Sequence, residues 1–286
     1  MTLPNELLKR MGIVPLSLEA FTNHEDGAPY EVWRVETEAG PFVLKKAKGH
    51  ELPIYLSFLN EPLAGAPRLL KTAAWKGEDY LLLKYCEGED LLRLDREALI
   101  KTIDALVSLQ ERFWENEGMA GIGLTVSAAF EKVKERGRYL SDAVPEEAYR
   151  AFLALFERLP RTLCHGDLLP FNVRLSEREA VLLDWEVGGI LPYLLPLARL
   201  LAHAEEKECA LFFVKEADKD FAIDYYYKKL PGPKGIAYSD YRRTLDYFFL
   251  YEYCEWIMLG NRYPDVDAER YRSYCEKAKR LLDALT

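Results

Sequence analysis

The chain is poor in cysteine, and what it has is scattered. Cys86, Cys164, Cys209, Cys254 and Cys275 are the only 5 cysteines in 286 residues, and no two form a C-x-x-C pair. Neither a disulfide framework nor a cysteine-based zinc site is expected, and a reducing cytoplasm is the expected location. Long apolar runs are missing too. The longest charge-free stretches, Gly118–Phe130 and Gly188–Ala198, fall short of the ~20 apolar residues of a spanning helix, so no membrane association is expected. The opening MTLPNELLKRMG has no continuous apolar core and no A-x-A-like cleavage site, so no secretory signal is expected either. Positive charge is in deficit. With 38 Lys and Arg against 47 Asp and Glu the net charge is −9, which argues against nucleic acid as a partner, because phosphate backbones require a concentrated positive surface. No internal repeat and no linker composition is found.

What is present is an ordinary globular balance, 49% hydrophobic and 30% charged, long enough for one large domain or two modest ones. The pattern changes near residue 90. Before it, alternating and apolar runs predict strands at 16–21, 30–38, 41–47 and 80–85, with turns at Ala39-Gly40 and Lys76-Gly77-Glu78, and one short helix over 51–59. After it, helical spacing dominates. Asp95 is placed to cap a helix carrying Leu99, Ile103, Leu106, Gln110 and Phe113, and Pro145 opens another that Pro160 ends. Further helices are predicted near 217–230, 239–260 and 267–285.

The informative segment is Thr162–Gly189, TLCHGDLLPFNVRLSEREAVLLDWEVGG. Val173-Arg174-Leu175 and Val181-Leu182-Leu183 flank a five-residue polar loop, which predicts a hairpin. A turn centred on Arg178 sets Asn172 opposite Asp184. Asp167, five residues before Asn172, can project from a loop toward the same point. Two carboxylates and a carboxamide around one cleft suit Mg²⁺, a hard ion that takes oxygen ligands and keeps positions for water and substrate phosphates. The carboxylate that does not hold metal is left to accept a proton from an attacking hydroxyl.

His165-Gly166-Asp167-Leu168-Leu169-Pro170-Phe171-Asn172, followed by Asp184-Trp185-Glu186, resembles the H-G-D-x-x-x-x-N and D-W-E signatures of the aminoglycoside phosphotransferase and choline kinase family. The resemblance implies a two-lobed protein-kinase-like α+β fold, with a small β-rich nucleotide lobe over residues 1–85 and a larger, mainly helical catalytic and acceptor-binding lobe over 86–286. It implies an ATP- and Mg²⁺-dependent enzyme moving the γ-phosphoryl group to a hydroxyl of a small molecule. Asp167 would be the catalytic base, Asn172 and Asp184 the Mg²⁺ ligands, and His165 the residue that holds the loop.

The front half carries weaker echoes of the same family. Phe42-Val43-Leu44-Lys45 resembles its phosphate-binding strand, where Val43 and Lys45 share one face and Lys46 points the other way. Glu51 would orient Lys45. Leu81–Gly88 is similar to the hinge that reads adenine, with Leu83 at its entry and the Lys84 carbonyl and Cys86 amide at the reading positions. One departure is the stretch Thr22–Pro29, which holds only Gly27 where protein kinases carry a glycine-rich loop. That leaves ATP against GTP preference open.

For the acceptor, Glu252 falls on the apolar stripe of the 239–260 helix, with Glu255 at its edge and Trp256 beside it. A carboxylate there needs a partner: an internal arginine, or a cationic acceptor held by carboxylates and aromatic faces. Aminoglycosides, choline or ethanolamine, and sugars or other hydroxylated metabolites are the acceptor classes to weigh. The alternative on the same motifs is a non-catalytic kinase-like binding protein. A protein kinase is disfavoured, since D-W-E replaces D-F-G and no A-P-E-like segment follows.

Overall fold

Alternation of apolar residues builds the first third of the chain into a sheet. The computed structural model describes residues 3–22, 29–140, 143–207, 210–263 and 267–285. The expected phosphate-covering stretch with Gly27, and Cys209, lie outside the described residues. A short helix, α1 (Leu3–Arg10), precedes β1 (Ser17–Thr22), β2 (Pro29–Thr37) and β3 (Gly40–Lys46). Then come α2 (Glu51–Ser57), β4 (Leu69–Trp75) and β5 (Glu78–Lys84). The sheet is antiparallel throughout, in the order β1-β2-β3-β5-β4.

β5 reads Tyr80-Leu81-Leu82-Leu83 without a polar break because both its faces are covered. Tyr80 and Leu82 pack with Val35 and Leu44 under Leu7, Leu8 and Met11 of the N-terminal segment. Leu81 and Leu83, on the opposite face of the pleat, join Ile54, Tyr55 and Phe58 of the α2 region in the main core. α1 and β4 have no counterpart in the sequence-based expectation. α1 is too short to show periodicity and owes its position to two leucines buried against the sheet.

The remainder is mainly helical. It contains β6 (Glu89–Asp90), α3 (Arg96–Arg112), α4 (Val126–Arg136), α5 (Glu146–Arg158), β7 (Arg161–Cys164), β8 (Val173–Leu175) and β9 (Ala180–Leu182). β10 (Gly189–Pro192), α6 (Leu195–Ala202), β11 (Ala204–Glu205), β12 (Phe212–Phe213), α7 (Glu216–Lys229), α8 (Tyr238–Arg262) and α9 (Ala268–Leu285) follow. Asp95 caps α3 by accepting from Ala98 N at 2.9 Å. Pro145 sits at the N-cap of α5 rather than inside its first turn. α4 and α6 are additions to the expected helices.

The fold is α+β, with a β-rich N-terminal sheet and a helical C-terminal part. α3 runs through the main core, and its one buried amide is fully used: Gln110 donates to the Tyr193 carbonyl at 2.8 Å and accepts from the Tyr226 hydroxyl at 2.6 Å. Among the described residues no helix is long and apolar enough to cross a membrane.

Candidate active site

The loop after β7 starts the site. β7 pairs with β10, Cys164 facing Gly189, and the chain then crosses the 187–189 segment closely enough that only glycine fits at 166. Gly166 has φ +81°, and a Cβ there would run into the Val187 carbonyl oxygen. His165, just before it, is fully buried. Its Nε2–H donates to the Leu183 carbonyl, its ring lies 4.8 Å from that of Trp185, and Nδ1 has no hydrogen-bond partner among the described residues. Burial holds the imidazole below its ordinary pKa, against the pull of the Leu183 carbonyl and of Asp167. A neutral ring that ties the loop to residue 183 results. Past Asp167, a 3₁₀ turn at Pro170–Asn172 delivers Asn172, whose side-chain nitrogen donates to the Asp167 carbonyl at 2.8 Å. The amide oxygen is thereby left for the cleft.

The hairpin forms with a register one residue away from the expected one. Val173 pairs with Leu182 and Leu175 with Ala180, so Asn172 faces Leu183, whose N–H it binds at 2.8 Å, and not Asp184. The cause is Ser176. Its hydroxyl accepts from Arg178 N and Glu179 N, closing a four-residue loop and leaving Ala180 in the strand. Asp184 then lies just past the pairing in a left-handed conformation, φ +64°, and this bend returns its carboxylate to the cleft that Asn172 also lines.

From the other side of that cleft comes Lys45. Its Nζ lies 2.7 Å from Glu51 Oε1 and 3.2 Å from Asp184 Oδ1. Burial alone would lower the Lys45 ammonium, yet Glu51 and Asp184 leave it above its ordinary value. Glu51 is itself wholly buried, and burial pushes its carboxyl up against the pull of Lys45. Lys46 points away, to Glu31 and Glu78. Val43, Leu83, Lys84 and Cys86 line the same cleft as Lys45, Glu51, Asn172 and Asp184. Among the described residues no acceptor meets the Cys86 N–H. The Cys86 thiol is pushed up to about 11 by burial, helped by Glu179, and is therefore a poor nucleophile. Phe171 and Arg174 also line this cleft and were not singled out from sequence.

The expected acceptor residues are differently placed. Glu252 is buried, and its carboxylate is taken by Arg199 Nη1 at 2.8 Å; Glu255 shares the same nitrogen. Although burial would raise it, the Glu252 carboxyl is drawn down to about 2 by His203, Arg199 and Arg136. The ring of Trp256 stacks on Tyr274 with Arg270 over it at 4.5 Å, and Lys277 lies 5.7 Å from Tyr253. Of the two readings left open for Glu252, the internal arginine is the one present, and Arg270 and Lys277 lie over the neighbouring aromatic rings. Arg199 is the residue that sequence reading missed, although a lone arginine in LPLARLLA was a signal, since a charge on an apolar helix needs buried partners. Its Nε reaches Asp167 Oδ1 at 2.8 Å.

A lysine held by a buried helix glutamate thus reaches an aspartate of the second half of the chain across one cleft, which Asn172 also lines. Residues 21–226, more than half of the chain, match the Phosphotransferase enzyme family, and the chain belongs to that family. Its fold is shared with solved structures at low identity. An aminoglycoside phosphotransferase from Alicyclobacillus acidocaldarius is 12% identical over 100% of this chain and 96% of that one, with a TM-score of 0.63. A choline/ethanolamine kinase family protein from Mesorhizobium loti is 15% identical over 99% and 95%, with a TM-score of 0.62. A fructosamine-3-kinase homologue from Haemophilus somnus is 11% identical over 98% and 95%, with a TM-score of 0.57. No curated protein sequence matches the chain.

Proposed function

We infer that this phosphotransferase moves the γ-phosphoryl group of ATP to a hydroxyl of a small molecule, with residues 1–85 binding nucleotide and 86–286 supplying catalysis and the acceptor site. The observation that carries the reading is the convergence of Lys45, Glu51 and Asp184 from opposite sides of one cleft, with Asn172 beside them and Asp167 on the adjoining loop. The donor set fits the groups it would hold. Asn172 and Asp184 offer hard oxygens suited to Mg²⁺, which when bound neutralises charge on the phosphates. Lys45, kept protonated by Glu51, would pair with phosphate oxygens, and the Cys86 amide, which meets no acceptor among the described residues, and the Lys84 carbonyl would read the base over Val43 and Leu83.

Asp167 would accept the acceptor's hydroxyl proton through its carboxylate. His165 would hold the loop by its bond to residue 183, and little covalent chemistry is left for the protein beyond positioning and charge stabilisation. A cationic acceptor loses its expected ligands here, because Glu252 and Glu255 are paired internally. Sugars and other neutral hydroxyl compounds therefore stand beside aminoglycosides, choline and ethanolamine on the panel to test.

The test is Mg·ATP-dependent phosphate transfer to that panel, wild type against Asp167→Asn. Turnover that falls by about 10²–10⁴-fold in the variant while Mg·ADP binding persists supports the assignment. Equal turnover would remove Asp167 as the base. Nucleotide binding without turnover of any compound would favour a non-catalytic binding protein.

A further inference from the structure

Arg199 is the only charged residue of α6, a helix that buries Pro196, Leu197, Ala198, Leu200, Leu201 and Ala202. A guanidinium on such a face requires a nearly complete set of acceptors. They come from two other elements. Nε donates to Asp167 Oδ1 at 2.8 Å, and Nη1 donates to Glu252 Oε2 at 2.8 Å and to Glu255, both on α8. A second layer fixes the α8 carboxylates. His203, at the C-cap just past α6, lies 3.4 Å from Glu252 and 2.7 Å from the Tyr274 hydroxyl of α9, while Arg136 of α4 approaches Glu255 at 3.8 Å. The carboxylates hold the guanidinium, and the guanidinium holds one oxygen of Asp167. Oδ2 of Asp167 has no partner among the described residues. Arg199 does not line the nucleotide cleft.

We propose that Arg199 is a positioning residue for phosphoryl transfer: by binding Oδ1 of Asp167 it leaves Oδ2 as the atom presented to the acceptor hydroxyl. The inference rests on the reading of Asp167 as proton acceptor. In the step it serves, the acceptor oxygen forms a bond to the γ-phosphorus as the bond from that phosphorus to the bridging oxygen breaks. The bonding pair leaves with ADP, and the hydroxyl proton goes to Oδ2. An unrestrained carboxylate rotates about its last bond and spreads its oxygens over several orientations. A guanidinium whose Nη1 is locked from behind by the α8 carboxylates and whose Nε holds Oδ1 restricts that rotation, and lysine, with a single nitrogen in place of a planar fork, cannot reproduce the separate Nε and Nη1 contacts.

The experiment uses the full chain with Arg199→Lys, which keeps the buried positive charge, and Glu252→Gln, which slackens the lock without removing the arginine. Folding is checked by thermal melting and Mg·ADP affinity by calorimetry. Steady-state kinetics then use ATP with water as acceptor, read as phosphate release, and with any panel compound that is phosphorylated. Arg199→Lys is expected to bind Mg·ADP and to show a KM for ATP within about twofold of wild type, yet to lose about 100-fold in kcat, the loss that misplacing a reacting group by about 1 Å can cause. Glu252→Gln is expected to lose less, again in kcat. Partial recovery of Arg199→Ala by millimolar guanidinium ion would support the role further. A Lys variant that melts earlier but turns over at the wild-type rate would overturn the inference, leaving Arg199 as a tie between α6 and α8. A wild type that binds Mg·ADP but phosphorylates neither water nor any panel compound would remove the reading of Asp167 and the inference with it.

Discussion

Replacing Lys45 by Met tests the centre of the site through stability rather than turnover. Glu51 is wholly buried, and Lys45 is its only cationic partner among the described residues. Removing one member of a buried ion pair leaves an uncompensated charge and typically costs about 3–5 kcal/mol. Asp184, the other contact of Lys45, has a 41% exposed side chain and can turn to solvent, so the loss is assigned to Glu51 alone, at the lower end, about 3 kcal/mol. The sign with pH follows from the direction in which burial moves Glu51. A carboxyl whose folded value lies above its unfolded value binds a proton preferentially in the native state. Its contribution is fully present below the ordinary carboxylate range and is lost as pH rises through the folded value. Burial already pushes Glu51 that way, and loss of Lys45 strengthens the effect. The deficit of Lys45→Met should therefore be largest near pH 7.5 and close toward pH 5, by up to about 1.4 kcal/mol per pH unit. Urea unfolding followed by circular dichroism at three pH values measures it, and Lys45→Met combined with Glu51→Gln should recover most of the loss. A deficit below about 1 kcal/mol at pH 7.5, or one that grows on acidification, would refute the reasoning.

Gly166→Ala sets a side chain against the Val187 carbonyl oxygen at φ +81°, and should lower stability by at least about 2 kcal/mol, read as a fall in melting temperature; an unchanged melt would mean that the loop rearranges freely. Asp184→Asn keeps the shape of the side chain but removes a charge, so the Mg²⁺ concentration needed for half-maximal turnover should rise at least tenfold in a metal titration. An unaltered requirement would take Asp184 out of the proposed metal site.

Much of the site was legible because its residues are close in sequence. His165 to Asn172 lie on one loop and Asp184 follows one hairpin later, so local spacing carries them together, and strand alternation is enough to put Val43 and Lys45 on one face. The register was not legible to the residue. It depended on the hydroxyl of Ser176 closing a four-residue loop, and a one-residue change of loop length shifts every facing pair. α1 escaped notice because eight residues show no periodicity of their own, and α6 because an apolar run reads alike as helix or strand.

Local pattern by itself determined four of the five strands of the first sheet, the capped helix after Asp95 and the loop–hairpin order of the polar motif, since these depend on residues a few positions apart. Tertiary structure alone decided which charges meet. Lys45 reaches Asp184 across 139 positions, and Arg199 on α6 joins Asp167 to Glu252 and Glu255 on α8. An apolar stripe shows that a helix face is buried, but the partner of a charge upon it is set by which other helix the packing brings alongside. Glu252 was therefore open from sequence to an internal arginine or a cationic acceptor, and the packing of α6 against α8 supplied the arginine.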